Sequence, residues 1–241
     1  MSNGGFLNEK EIVENINNKK FDDLNPNLKN LIKFSFSQHD GIIKCSQEGG
    51  QNKSDIKISI GKESHTYSIK IGSGNSIHQE PLESFINYLD ENFSINEETK
   101  NNLRLFIWGD KTLDGSGKVG DRLSANQFKR EYPETIEDLS VFFDLYRKEL
   151  IERFLINGDK SCSSAEFVYY GDYKNGIFAR SIDLLNYVSS YKSKGAIPIG
   201  KLTFQAWNRN INGGTKSEKK RGVIQLKWPT ISQDIKESFH E

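Results

Sequence analysis

The 241 residues suffice for one large domain or two small ones with a substantial core, and 33 Lys+Arg against 33 Asp+Glu leave no net charge. That balance argues against a general, strongly basic nucleic-acid binder, although local patches decide whether a protein touches one DNA groove. Cys45 and Cys162, the only cysteines, provide neither a disulfide framework nor a metal-ligand spacing, and with no leader pattern and no apolar run of membrane-spanning length a cytoplasmic protein is expected.

The first 30 residues are polar, with a short helical pattern over 11–16 and a second over 28–34. Residues 42–46 read as a strand leading into a Gly/Asn-rich turn at 49–52. Two period-2 runs follow: 55–60, with Ile56, Ile58 and Ile60 apolar, and 65–71, with Tyr67, Ile69 and Ile71 apolar. Residues 61–64 form a four-residue hairpin loop between them. Pairing Ile60 with His65 sets Ile58 opposite Tyr67, Ile56 opposite Ile69 and Asp55 opposite Lys70, matching apolar to apolar. Asp55, Ser68 and Lys70 then share the polar face, with opposed Cβ atoms about 5 Å apart. On these three residues alone, an ordinary cross-strand ion pair explains the pattern equally well.

Gly72, Ser73, Gly74 and Asn75 are expected to turn the chain. Ser76 with Gln79 has capping-box spacing, and Leu82, Phe85, Ile86, Leu89 and Phe93 recur at helical spacing. Glu80 falls in the first turn of that helix, where Pro81 is tolerated. Such an acid favours the helix dipole without any further role. Beside the end of the Lys70 strand, however, it would bring a second carboxylate to Asp55 and Lys70. That is enough for Mg²⁺, which usually takes only one or two protein carboxylates.

A second helix is expected over 97–108, opened by Asn96. The run 110–121 fits a calcium-loop template only loosely, because Thr112 holds its third position, Lys118 its ninth and Asp121 its twelfth. Thr112 also stands where a P-loop needs its first glycine, so a surface loop is expected. Ser124 with Gln127 caps a short helix. Thr135 opens the strongest helical stripe (Ile136, Leu139, Phe142, Phe143, Tyr146, Leu150, Phe154), closed by Gly158 and read as core. Residues 131–172 hold ten acids against four bases, whereas 192–227 hold nine Lys/Arg and a single acid, Glu218. In that basic segment two strand-like runs, 202–207 and 222–228, flank a loop carrying Arg209, Asn210, Asn212, Lys216, Lys219, Lys220 and Arg221. Arg and Asn suit guanine and adenine edges, a two-stranded ribbon fits the major groove, and lysines supply phosphate contacts.

Asp55 followed by Ser68-Ile69-Lys70 resembles the PD-(D/E)xK core of many restriction endonucleases and repair nucleases, over about residues 50–90. The sequence departs from that core at Ser68, where the family has an acid. Some members carry the missing carboxylate on the adjacent helix, and Glu80 is the matching candidate. Glu48, or Glu14 on a helix packed against the sheet, are alternatives. The tail, 200–214 and 221–228, is similar to the end of restriction-endonuclease-like defence proteins. The resemblance implies an α/β (mixed α+β) fold: one domain with a central mixed sheet flanked by helices, a catalytic core at about 40–110 and a basic DNA-contacting ribbon at about 192–228. It implies Mg²⁺-dependent cleavage of double-stranded DNA, with Mn²⁺ as a substitute, in the manner of a type II restriction enzyme. Asp55, Glu80 and the Ile69 carbonyl would hold the metal, Lys70 would orient water and offset phosphate charge, and Ser68 would donate a supporting hydrogen bond. Asn75, His78 and Gln79 would lie near DNA. A homodimer and a cognate DNA methyltransferase follow by analogy. The alternatives are a structure-specific repair or phage-defence nuclease, and a catalytically inactive DNA-binding protein.

Overall fold

The computed structural model describes residues 4–49, 52–72, 76–158, 163–195 and 197–238. In chain order the elements are α1 Gly4–Ile16, β1 Lys19–Lys20, α2 Pro26–Ser35, β2 Ile42–Gln47, β3 Ile56–Ile60, β4 Glu63–Lys70 and β5 Ser76–Pro81. There follow α3 Leu82–Phe93, α4 Glu97–Trp108, α5 Ala125–Glu131, α6 Pro133–Leu145, α7 Arg147–Glu152 and a π-helical turn at Arg153–Asn157. The chain ends with β6 Phe167–Gly171, β7 Gly176–Arg180, α8 Ser181–Ser189, β8 Ile197–Ile199, β9 Leu202–Ala206, α9 Thr215–Glu218, β10 Val223–Lys227 and α10 Ile231–Glu237. The fold is mixed α/β, as the sequence implies. Among the described residues no helix is long and apolar enough to cross a membrane.

The chain divides into two compact units. Unit 1 comprises Met1–Asn75, Ile151–Val188 and Pro229–Glu241, and unit 2 comprises Ser76–Leu150 and Ser189–Trp228. The stretch 40–110 expected to hold the whole catalytic core is therefore split at Asn75/Ser76.

Unit 1 is built on a six-stranded sheet of order β1-β2-β3-β4-β6-β7, antiparallel except for the parallel pair β4–β6. Parallel neighbours need a long crossover, and here it carries the first segment of unit 2. The apolar stripes of α1 (Ile12, Ile16) and α2 (Leu28, Leu31, Ile32) bury one face of this sheet with Ile43, Ile56, Ile58, Tyr67, Ile69 and Tyr169. Pro26 at the first helical position and Asn25 accepting from the Leu28 N–H start α2.

The β3–β4 register differs from the expected one by a single pair. Ile60 faces Glu63, Ile58 faces His65 and Ile56 faces Tyr67. Gly61, with φ +60°, sits at the first central position of a two-residue turn, which draws the strands two residues tighter than a four-residue loop allows. A shift of two keeps every side chain on its face, so Asp55, Ser68 and Lys70 still lie together, but Asp55 stands level with Ser68 instead of Lys70.

Unit 2 is a four-stranded antiparallel sheet, β5-β10-β9-β8, packed against α3, α4 and α6. The fully buried ring of Phe204 sits at its centre, 5.7 Å from Phe85, 5.8 Å from Phe106 and 4.8 Å from Phe143 between centroids. Losing such a ring costs about 3–5 kcal/mol. Asn96 and the Ser124/Gln127 capping box start α4 and α5 as expected. The long helix expected from Thr135 to Gly158 is instead interrupted at Tyr146 (φ −106°, ψ 27°), whose ring packs on Phe93 and Phe142.

Candidate active site

At the exit of β4, three donors converge on one oxygen of Asp55. Oδ2 accepts from Ser68 Oγ at 3.1 Å, from the Ile69 N–H at 2.6 Å and from Lys70 Nζ at 3.0 Å. The Asp55 N–H donates to the Tyr67 carbonyl at 2.8 Å, which extends the ladder one step and fixes the carboxylate against β4. Lys70 Nζ also donates to the Ile69 carbonyl at 3.0 Å. No described residue donates to Asp55 Oδ1, so one carboxylate oxygen stays open while the other is saturated.

Glu80 does not lie in the helical turn expected for it. Glu80 lies in β5, in unit 2, opposite Ile224 of β10. Its side chain is buried and 2.9 Å from His78 Nε2. A strand replaces the expected helical turn because Ile77 and the 78/80 positions find a hydrogen-bonding edge in β10, and Pro81 delays α3 to Leu82. Ser76 and Gln79 meet, at 2.9 Å, within that strand and form no capping box. His78 is buried and Gln79 exposed. Asn75 lies outside the described residues.

Glu9 of α1 is the acid near the Asp55–Lys70 pair. It is partly buried and accepts from Gln47 Nε2 at 3.4 Å. Burial raises its pKa above the usual carboxylate value, the Asp55 charge raises it further, and Lys70 and the Gln47 hydrogen bond pull it back. Glu9 lies outside the sequence expectation because the helical pattern there begins at residue 11. Extending the Ile12/Ile16 stripe one turn back brings Asn8 into the buried face and Glu9 to its rim. Of the alternatives, Glu14 is exposed and pairs with Lys10 at 3.7 Å, while Glu48 accepts from Ser54 Oγ at 3.1 Å.

Three of the expected DNA-reading side chains are committed inside unit 2. Arg209 is buried between the rings of Phe106 and Phe128, 4.8 and 5.1 Å from their centroids, and donates to the Phe106 and Leu123 carbonyls. Arg221 forms a buried ion pair with Asp110 at 2.7 Å and also bonds Glu218 and the Gly115 carbonyl. Asn210, in left-handed backbone conformation, ties the loop through Gly214 and Glu218. Hydrogen bonds from Asn210, Arg221 and Arg122 hold the Glu218 carboxyl down at about 2. Asp110 spends Oδ1 on Thr112 and Oδ2 on Gly117 N and Arg221, which explains why 110–121 is a structural loop without a calcium-type ligand set. Burial alone would raise Asp110, but the Thr112 and Arg221 bonds outweigh it and keep its pKa low. Asn212, Lys216 and Lys219 stay exposed, and Lys220 stands 4.9 Å over the Trp207 ring.

Among the described residues no three His, Cys, Asp or Glu side chains form a ready-made metal cluster. Asp55 Oδ1, the Ile69 carbonyl and Glu9 are nonetheless hard oxygen donors of the kind Mg²⁺ takes, in the number it usually takes from protein. No protein-family model matches the chain, and no curated protein matches it.

Proposed function

We propose that the chain is a Mg²⁺-dependent nuclease that hydrolyses phosphodiester bonds of double-stranded DNA in the cytoplasm. The observation that carries this is the Asp55 carboxylate, saturated on Oδ2 and open on Oδ1, hydrogen-bonded to Lys70 at the end of a parallel strand pair. Ligands bind at such strand ends in open α/β sheets. Asp55 Oδ1, the Ile69 carbonyl and Glu9 would hold the ion in place of the expected Asp55, Glu80 and Ile69 set. A bound Mg²⁺ supplies a polarised phosphate and a more acidic water. Lys70 offsets the negative charge that develops on the phosphate oxygens, and its bond to the Ile69 carbonyl aims it. Ser68 and the Ile69 N–H keep Asp55 in one rotamer, so the site is preorganised before substrate arrives.

Room for substrate supports this proposal. Tyr170 is the register partner of Lys70 on β6, so the two side chains share a face. Tyr170 also lines a cleft of about 520 Å³ with Pro229, Thr230, Ser232, Gln233, Lys236 and Glu237. Its hydroxyl, amide and ammonium groups are of the kind that contact phosphates and sugars, and its one carboxylate, Glu237, already accepts from Tyr187 and Gln233. Recognition of a palindromic site, a homodimer and a companion methyltransferase belong to the same proposal by analogy with restriction systems.

The test is incubation of the purified protein with supercoiled plasmid and Mg²⁺ or Mn²⁺. Discrete fragments are expected from a restriction-type enzyme, and nicks or smears from a structure-specific one. An intact plasmid under all divalent ions, with DNA still bound, would leave a catalytically silent DNA-binding protein.

A further inference from the structure

In unit 2 a second pocket, of about 270 Å³, opens where β9 runs into the loop that follows it. It holds roughly nine waters at about 30 Å³ each, the scale of one heterocyclic base. Phe106, Trp207 and Ile211 give it aromatic and apolar walls, Gln205 and Asn208 give it polar ones, and Arg209 lines it with its guanidinium turned to carbonyls and rings.

The polar walls have capacity to spare. Gln205 donates its amide to Gln225 Oε1 at 2.9 Å, and its own carbonyl oxygen accepts no bond from a described residue. Asn208 accepts from the Asn210 N–H at 2.7 Å, and its amide nitrogen donates to no described residue. One acceptor and one donor therefore stand ready beside an aromatic ring, which suits the edge of a base stacked on that ring.

The charge here is uncompensated. Arg209 is only 8 % exposed, and among the described residues its Nε has no hydrogen-bond partner and its head meets no carboxylate. Its head faces carbonyls and rings, so it acts on the pocket through its charge and not by contact. Lys220, over Trp207, likewise forms no ion pair among the described residues. The one acid of this segment, Glu218, is already held by Arg122 and Arg221. A buried cation without a counter-ion favours an anion nearby.

We infer that this pocket takes a nucleotide, its base stacked against Trp207 and read by Gln205 and Asn208, its phosphate drawn by Arg209 and Lys220. That the nucleotide belongs to a DNA strand rests on the nuclease proposal; the chemistry of the pocket does not. A base inside a duplex must leave the stack to enter, which is easiest at single-stranded or mismatched positions. Single strands therefore bind here more tightly than matched duplex.

The test uses the full-length protein without divalent ions and follows tryptophan fluorescence and anisotropy. The probes are the four deoxynucleoside 5′-monophosphates, inorganic phosphate, and a labelled oligonucleotide as single strand, matched duplex and mismatched duplex. Saturable binding of at least one mononucleotide is expected, with phosphate alone far weaker. Trp207→Leu should weaken it at least about five-fold, and Asn208→Asp, which places a negative charge at the mouth without removing packing, should do the same. Equal binding by both variants, or no saturable mononucleotide binding, overturns the pocket. Mononucleotide binding with no oligonucleotide binding overturns a DNA strand as occupant and leaves a free nucleotide. A protein that binds nucleotides but never cuts plasmid sinks the nuclease proposal and not this one.

Discussion

Lys70→Ala separates a catalytic ammonium from a merely structural one. Lys70 Nζ lies 3.0 Å from Asp55 Oδ2, with the two side chains 19 % and 25 % exposed. At that distance Coulomb's law gives about 1.4 kcal/mol in water-like surroundings and about 5.5 kcal/mol at an effective dielectric near 20. Desolvation and side-chain ordering cancel most of this in a pair that is partly buried yet still reached by water, leaving about 1 kcal/mol. Ser68 Oγ and the Ile69 N–H stay on Asp55 in the variant, so no buried charge is stranded. The melting temperature should therefore fall by no more than about 2–4 °C for a chain of this size. Phosphoryl-transfer catalysis, by contrast, loses a preaimed positive charge, a change that costs about 10²–10³ in rate. Thermal melts, initial rates of plasmid cleavage at saturating Mg²⁺ and DNA anisotropy measure the three quantities on one preparation. A cleavage rate within about threefold of wild type would refute the assignment. So would a melting temperature that collapses in step with activity, since Lys70 would then be holding the fold together.

Glu9→Gln should raise the Mg²⁺ needed for half-maximal cleavage at least about tenfold, yet leave stability at pH 7 unchanged or slightly higher. A carboxyl whose folded pKa lies above its unfolded value costs stability once pH passes the folded pKa, and glutamine removes that cost; a clear loss of stability at pH 7 would contradict it. Arg221→Ala strips a buried partner from Asp110 and should cost about 3–5 kcal/mol in a denaturant titration of the whole protein. The wild type should also lose stability as pH falls from 4.5 toward 2, where the depressed Glu218 carboxyl takes up its proton, and the variant should lose less over that window. Replacing Lys216, Lys219 and Lys220 together should lower the salt slope of DNA binding by about one per phosphate contact removed, and an unaltered slope excludes this loop as a contact surface. Adding Ser68→Asp to Glu9→Gln should restore part of the cleavage, because either position supplies the second carboxylate; a double variant no better than Glu9→Gln argues against a shared metal site.

What was legible in the sequence was local. Alternation announced β2, β3, β4, β9 and β10, and side-chain caps announced α4 and α5, because each signal sits within a few residues of the element it makes. The strand period alone puts Asp55, Ser68 and Lys70 on one face, where the three side chains meet. Their exact opposition depends instead on one turn: Gly61 permits two residues where four were expected. Glu80 shows the limit more plainly. Ser76-to-Pro81 carries a good helix start in isolation, and only β10, some 150 residues later in sequence, converts it to a strand. The arginines misled for a related reason. Exposed-loop composition cannot reveal that Arg209 and Arg221 have ring faces, carbonyls and Asp110 waiting for them.

The serine at 68 and the glutamate on α1 form one electrostatic arrangement. A carboxylate at 68 would stand level with Asp55 on the same face of an antiparallel pair, where like charges oppose each other. The hydroxyl donates to Asp55 instead, which saturates Oδ2 and leaves Oδ1 for a cation. The second negative charge then arrives on a separately anchored element: Asn8 is tied to the Gly171 carbonyl, and Ile12 and Ile16 are packed in the core. Burial and the Asp55 charge both raise the Glu9 pKa, so a cation beside it would relieve both penalties. In the proposed site a metal would take Glu9 in its ionised form, so affinity should rise with pH as Glu9 gives up its proton. On the nuclease proposal the seating of α1, and not only the chemistry of the hairpin, would determine activity. A change at Asn8 that lets the helix end drift should then weaken cleavage without touching Asp55, Ser68 or Lys70.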